Sequence, residues 1–309
     1  MKKRNRKILV IKTGFSELLD RGISITVSLG DVLMCTALLH FYKEDEVTWL
    51  TSWEARWLLA GNPFIKEVLF FGPQALNTIA QRRYDLLINL EKDIGICVFL
   101  SRVKARKKYG FYFDERAHAI ATHRRTDQYL LAGQENHRHI NKSFLEILAE
   151  TIDEKWYGQG PVLSVADPGV KKFDVGLNYA VGTKWPTKAW PEKHWKKLAH
   201  LLGKKYRVSW QKGHRDLRRY TEWIGQCRLL VTSDSLGQAI SQALGKQVVS
   251  LYGPTHHRRM QGVRNLTVVP SPLDCPFRPC YLPYCKNSRF CMEDIAPAEV
   301  AAICERLLS

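Results

Sequence analysis

The sequence predicts an α/β fold of two Rossmann-like halves facing a central cleft. Three observations lead there. Short apolar runs recur, each stopped by polar or charged residues, as in Ile8-Leu-Val-Ile-Lys12 and, in the second half, Leu229-Leu-Val231. Segments with apolar residues at helical spacing separate them, as with Leu236, Ile240 and Leu244. Alternation of this kind implies a parallel sheet covered on both faces. A break carrying Gly158, Gly160, Pro161 and Pro168 then divides the alternation into two series. The expected domains are residues 1–165 and 166–309, with the last helix packing back on the first.

In the first half, Ile8 to Lys12 reads as a buried strand. Thr13-Gly14 begins a loop through Val27, and Ser28-Leu-Gly-Asp31 leads into a helix with Leu33, Ala37, Leu38 and Phe41 on one face. Val47 to Thr51 is a second strand, Trp53 to Leu59 a helix ended by Gly61-Asn-Pro63, and Val68 to Phe71 a third strand. A helix ends over Ile79 to Arg83, and Asp85 to Leu90 is a fourth strand. Residues 101–142 are the most basic part. Within them Tyr109 to Phe113 reads as a further strand and 114–140 as a long loop with some helix. Phe144 to Ile152 is a helix.

In the second half, Val175 to Asn178 is a strand and Pro191 opens a helix through Leu202, with Trp195, Leu198 and Leu202 inward. Tyr206 to Trp210 is a strand and Tyr220 to Cys227 a helix. Leu229 to Val231 then runs into Thr232-Ser-Asp-Ser235 and a further helix. Val248 to Tyr252 and Leu266 to Val269 are the last strands. Cys275 to Cys291 is irregular, and Ala296 to Leu308 is the terminal helix.

With 309 residues, 45% of them apolar, the chain has room for two medium domains with cores. No run of about 18 apolar residues marks a membrane span. The basic Lys3, Arg4 and Arg6 precede only Ile8 to Ile11, too short a stretch for a secretory signal. The expected location is the cytoplasm. Eight cysteines in so large a chain do not make a disulfide scaffold. A formal charge of +17 fits a solvated surface, or an acidic partner such as nucleic acid, an anionic membrane or a phosphorylated substrate.

Three loops of the second half would line the cleft at the carboxyl ends of their strands. The first holds Thr183, Lys184, Thr187 and Lys188, hydroxyls and ammonium groups suited to a diphosphate. The second runs from Ser233 through Asp234 and Ser235 to Gly237, where a strand turns into a helix and its free N–H groups favour an anion. An ordinary N-cap explains the same residues. The third is Gly253-Pro-Thr255, where glycine admits close backbone approach and a plain turn is the alternative. In the first half Asp31 stands at a loop-to-helix junction, either as an acid favoured by the helix dipole or as a general base.

Six segments occur in one order: Ile8-Leu-Val-Ile-Lys12, Leu29-Gly-Asp-Val-Leu33, Gly61-Asn-Pro-Phe-Ile65, Lys188-Ala-Trp-Pro-Glu192, Ser233-Asp-Ser-Leu-Gly237 and Leu251-Tyr-Gly-Pro-Thr255. Together they resemble the heptosyltransferase family of glycosyltransferases (family 9), over nearly the whole chain. The resemblance implies a two-domain GT-B fold. It implies inverting transfer of a sugar, typically heptose from ADP-heptose onto lipopolysaccharide core, without a catalytic metal. It makes Asp31 the base, Thr183 and Lys188 ligands of the donor diphosphate, and Asp234 and Ser235 the acid-hydroxyl pair on the donor, with Gly237 letting the helix approach. The implied partners are a nucleotide-sugar donor, an anionic glycolipid or glycan acceptor and the inner face of a membrane, with no nucleic acid. The chain departs from the family pattern in its long Gly14 to Leu29 segment, in Leu236 and Gln238-Ala239 after the Asp-Ser pair, and in the short Gln211 to Asp216 region.

Cys275, Cys280, Cys285 and Cys291 fall in one irregular stretch. Four thiolates can hold a structural zinc or iron ion tetrahedrally, and a loop of buried free thiols accounts for them as well. Cys35, Cys97, Cys227 and Cys304 lie in helical patterns and read as core. The rivals are a transferase using another nucleotide sugar and a basic nucleic-acid-binding protein, for which no recognition motif is present. A nicotinamide dehydrogenase lacks its G-x-G-x-x-G turn after the first strand.

Overall fold

A computed structural model describes residues 5–16, 26–123, 141–165, 167, 169–211, 216–260 and 262–309. The loop expected from Thr13 to Val27, the long basic loop to residue 140, the linker at Pro168 and the Gln211 to Asp216 segment therefore lie partly outside the described residues. The chain forms two compact units, residues 1–137 with 144–164, and residues 138–143 with 165–309.

The first unit is built on a six-stranded sheet. Its strands are β1 (Lys7–Ile11), β2 (Glu46–Thr51), β3 (Glu67–Phe70), β4 (Arg83–Asn89), β5 (Lys104–Asp114) and β6 (Ala119–His123), in the order β3-β2-β1-β4-β5-β6. All pairs are parallel except β5 with β6. Residues 119–123 were expected in a loop. They turn back on β5 instead, so that Tyr112 faces Ala121 and Phe113 faces Ile120. The parallel strands are apolar on both faces, as a sheet covered on both sides requires; in β1 the four residues from Ile8 to Ile11 are all buried.

The connecting helices are α1 (Leu29–Cys35), which continues as a 3-10 turn to Phe41, then α2 (Arg56–Leu59), α3 (Pro73–Gln81), α4 (Ile94–Ser101) and α5 (Phe144–Glu150). Pro73 opens α3, where its missing N–H costs nothing. That helix was expected to reach Arg83, but it stops at Gln81 because Arg83 already pairs with Lys104 in the sheet. Helix α4 was not foreseen. Asp93 caps it by accepting from the Ile96 amide at 2.7 Å. Ala75 and Ile79 of α3 and Ile96 and Leu100 of α4 cover Leu9, Ile11 and Leu87 of the sheet.

The second unit has five parallel strands: β7 (Phe173–Asn178), β8 (Val208–Trp210), β9 (Cys227–Ser233), β10 (Gln247–Tyr252) and β11 (Leu266–Pro270), in the order β11-β10-β9-β7-β8. Its helices are α6 (Glu192–Leu202), α7 (Leu217–Gly225), α8 (Leu236–Ala243) and α9 (Pro297–Leu308). Helix α7 was expected to run to Cys227. It ends at Gly225, and Cys227 pairs with Phe173 as the first residue of β9. The inward face of α6 is Trp195, Leu198 and Leu202, as its spacing predicted. The terminal helix α9 joins the same core through Val300, Ala301, Cys304 and Leu308, beside Val175, Leu177, Leu229 and Val231. No helix among the described residues is long and apolar enough to cross a membrane.

Candidate functional site

A doubly wound sheet binds ligands outside the carboxyl ends of its strands, where the winding reverses. In the second unit that point lies between β7 and β9. β7 ends at Asn178, whose buried amide ties the strand ends together. Its Nδ2 donates to Thr232 Oγ1 at 2.7 Å and to Ser235 Oγ at 3.3 Å, and its Oδ1 accepts from Tyr220 Oη at 2.8 Å. The Thr232 and Ser235 hydroxyls share a hydrogen bond of 3.0 Å. Ser235 occupies the N-cap of α8, yet its side chain makes no capping bond. The hydroxyl is turned toward the strand ends, so the leading amides of α8 are not met by it and suit an acceptor from a ligand. Next to it the buried Ser233 hydroxyl has no hydrogen-bond partner among the described residues.

Lys188 reaches this point from the 3-10 turn Pro186–Lys188. Its Nζ donates to Asp234 Oδ2 at 3.0 Å, and the two side chains are 17% and 22% exposed. The turn is anchored on both sides. Thr187 Oγ1 donates to Leu282 O at 2.6 Å, and Trp190 Nε1 to Ile295 O at 3.1 Å. An ammonium group, a carboxylate and helix amides thus share one partly open place. The cation and the amides suit a diphosphate, and the carboxylate suits a sugar or ribose hydroxyl. Gly237 is a glycine for a packing reason: a Cβ there would lie 2.5 Å from both Asn178 Nδ2 and Tyr220 Oη.

The structure therefore brings Lys188, Asp234, Ser235 and Gly237 together. Thr183 is exposed farther out on the same loop, and the Lys184 ammonium lies 6.0 Å from the centre of the Trp185 ring. Gly253 has Met292 and Cys291 over its Cα, with the Cys291 sulfur 2.8 Å from where a Cβ would stand. Thr255 is buried one strand farther along the sheet, after β10.

In the first unit the reversal lies between β1 and β4. β1 runs straight into Lys12, which has no exposed surface. Its Nζ stands 3.5 Å from Glu91 Oε1 and 3.8 Å from Asp31 Oδ2, and it donates to the Ser16 carbonyl. Glu91, also fully buried, accepts from the amides of Gly14 at 2.7 Å and Ser16 at 3.0 Å and from the Ser16 hydroxyl. Gly14 takes φ +90° to turn the chain here, and a Cβ would press on Val27 and Val32, 2.8 Å from each. Asp31, in the first turn of α1, keeps 19% of its side chain exposed. Cys35, one turn on, is wholly buried, and burial pushes its thiol up and keeps it neutral beneath this charged group.

Sequence reasoning placed Asp31 but missed Lys12 and Glu91 as its neighbours, and Asn178 and Tyr220 beneath Ser235. A signal was present: both first strands run without a break from apolar residues into a polar or charged one at the sheet's switch point.

The four cysteines read as core are buried as expected, whereas the stretch from Cys275 to Cys291 is not a loop of buried thiols. Cys35, Cys97, Cys227 and Cys304 are buried, although Cys227 opens a strand and not a helix. Of the other four, Cys291 is buried, Cys275 and Cys280 are half-buried and Cys285 is exposed. Burial pushes the Cys291 thiol up to about 11; Arg278 opposes the shift and the other three thiols add to it. Among the described residues no group of three or more His, Cys, Asp or Glu side chains is placed to hold a metal ion. As arranged here, the four thiols do not fit a tetrahedral zinc or iron centre.

Residues 74–212 match the family model of glycosyltransferase family 9 (heptosyltransferase). No curated protein matches the chain. Among solved structures, a family 9 glycosyl transferase from Veillonella parvula is 16% identical with a TM-score of 0.69, over 100% of this chain and 98% of that one. The ADP-heptose lipopolysaccharide heptosyltransferase II of E. coli is 16% identical with a TM-score of 0.67, over 98% of each chain. The iron-containing dodecameric glycosyltransferase TibC of enterotoxigenic E. coli is 14% identical with a TM-score of 0.60, over 99% of this chain and 76% of that one. These likenesses show the fold, which is the GT-B fold.

Proposed function

We propose, from the premise that the chain is a glycosyltransferase of the family 9 (heptosyltransferase) type, that it transfers heptose from ADP-heptose to a lipopolysaccharide-core or related glycan with inversion. The observation that carries this reading is the Lys188–Asp234 pair beside the uncapped start of α8, at the switch point of the second sheet. In the reading, Lys188, with Thr183 and Lys184 on its loop and the leading amides of α8, holds the donor diphosphate. Asp234 and Ser235 take hydroxyls of the donor. Gly237 keeps α8 close against Asn178 and Tyr220, and Gly253 and Thr255 belong to the neighbouring loop.

Asp31 takes the proton of the acceptor hydroxyl as its oxygen attacks the anomeric carbon. The bond from that carbon to the diphosphate oxygen breaks on the opposite face, and the electron pair leaves with the nucleoside diphosphate. Lys188 and the helix amides meet the charge that develops there. Lys12 and Glu91 position Asp31. The iron of the TibC neighbour is not carried over, because among the described residues no group of three or more ligating side chains is placed to hold an ion, and no step runs through the cysteines. The +17 charge suits an anionic glycolipid acceptor at the inner face of a membrane.

Thermal unfolding with ADP, UDP, GDP and NAD, each in turn, tests the donor assignment. ADP at about a hundred times its Kd adds roughly 2.7 kcal/mol of stability, a rise of several degrees. Lys188→Ala lowers ADP affinity about tenfold or more, the worth of a charge-assisted hydrogen bond. Stabilisation by NAD alone, or salt-sensitive DNA binding with no nucleotide effect, contradicts the reading.

A further inference from the structure

Beyond the diphosphate loops, the second unit holds a pocket of about 490 Å³ at the carboxyl ends of β10 and β11. Those strands lie one and two places along the sheet from β9, roughly 5–10 Å at the usual strand spacing. The lining is basic. His257, Arg258 and Arg278 stand there against one acid, Asp274.

Two of its side chains are prepared for a ligand. Arg278 is held in place by Nη1, which donates to the carbonyls of Ser271 at 3.0 Å and Leu273 at 2.6 Å. This fixes the guanidinium plane and leaves Nη2 to donate elsewhere. The Thr255 hydroxyl is 5% exposed by residue and has no hydrogen-bond partner among the described residues. A buried hydroxyl without a partner is costly, and an incoming acceptor oxygen relieves that cost. His256 is oriented as well: its Nδ1 accepts from the Arg258 amide at 3.2 Å, which puts its hydrogen on Nε2.

We propose that this pocket is a second anion subsite, separate from the diphosphate loops, that takes the phosphate or carboxylate of an acidic sugar on the acceptor. The assignment rests on the function proposed above. The volume falls in the range of sugar-sized ligands and far exceeds a bare phosphate. An adenosine moiety and a heptose are both uncharged, so neither calls for two guanidinium groups. The diphosphate is already met at β7 and β9. The remaining substrate is the acceptor. The His257 imidazole, lowered by burial and by Arg258 and Arg278, serves as a neutral donor beside the two guanidinium groups.

The test is equilibrium binding to the full chain saturated with ADP, using glucose 6-phosphate, glucuronate and glucose as probes. Glucose 6-phosphate or glucuronate binds the ADP-loaded protein and glucose does not. Arg258→Ala weakens that binding about tenfold and leaves ADP affinity within about twofold, as expected for one lost charge-assisted hydrogen bond. Thr255→Val weakens it as well, with a melting temperature no lower than that of the unsubstituted protein, because it removes a polar group that has no partner. Absence of binding by both anions overturns the proposal. So does displacement of both by ADP, which makes the pocket part of the donor site, or undiminished binding by both variants. Failure of ADP to bind, with the anion binding and its Arg258 dependence intact, is a failure of the donor assignment and not of the pocket.

Discussion

Lys12 has no exposed surface and stands between two carboxylates, those of Glu91 and Asp31. A buried ammonium is tolerated because both partners and the Ser16 carbonyl surround it. Removing it leaves the Glu91 carboxyl group with no exposed surface and only its amide and hydroxyl donors. Lys12→Met should cost about 3–5 kcal/mol of stability by denaturant unfolding. The Lys12→Met, Glu91→Gln double variant should cost less than the two single losses summed. A loss of under about 1 kcal/mol in the single variant would show that the pair does not hold the loop. Asp31 was legible in the sequence because an acid at a loop-to-helix junction is a local pattern. Its neighbours were not: Glu91 lies sixty positions away in the chain, and only the pairing of β1 with β4 brings it beside Lys12.

At the scale of elements, the second sheet's switch point depends on α8 lying close to β7. Gly237 permits this, since a Cβ would meet Asn178 and Tyr220 at 2.5 Å. Gly237→Ala should destabilise by about 1–3 kcal/mol, as overpacking a tight core does. It should also lower ADP affinity, because the amides of α8 move with the helix; unchanged stability and affinity together would contradict the packing. The strand–helix alternation was readable because buried parallel strands are continuous apolar runs. Errors fell where pairing and not composition decides an element: Arg83 and Cys227, expected in helices, are claimed by neighbouring strands. The hairpin of β5 and β6 was hidden for the same reason, being basic and polar on its solvent side. Thr255 was legible as a loop residue at the end of a strand, but its company with Arg278 was not, since the two meet only through the loops after β10 and β11.

Over the whole molecule, the second unit is tied to the chain that enters it by Asp167. Its carboxylate accepts from Lys246 Nζ at 2.8 Å and Lys171 Nζ at 2.5 Å. Burial works against its charge, but the two lysine hydrogen bonds prevail and hold its pKa at about 2. A folded value below the ordinary carboxylate value of about 3.9 means the contribution is fully present above about pH 4 and is lost as pH falls toward 2. The melting-temperature gap between the protein and Asp167→Asn should therefore close between pH 4 and pH 2, and a gap that stays constant would contradict the assignment. In the proposed reaction the second unit grips a diphosphate and Asp31 of the first deprotonates an alcohol. This proposal is tested most directly by ADP release from ADP-heptose in the presence of a lipopolysaccharide-core acceptor, measured for Asp31→Asn beside its ADP affinity. The account predicts turnover lower by about 10²–10⁴ with ADP affinity unchanged, whereas unaltered turnover, or loss of ADP binding along with it, would contradict it.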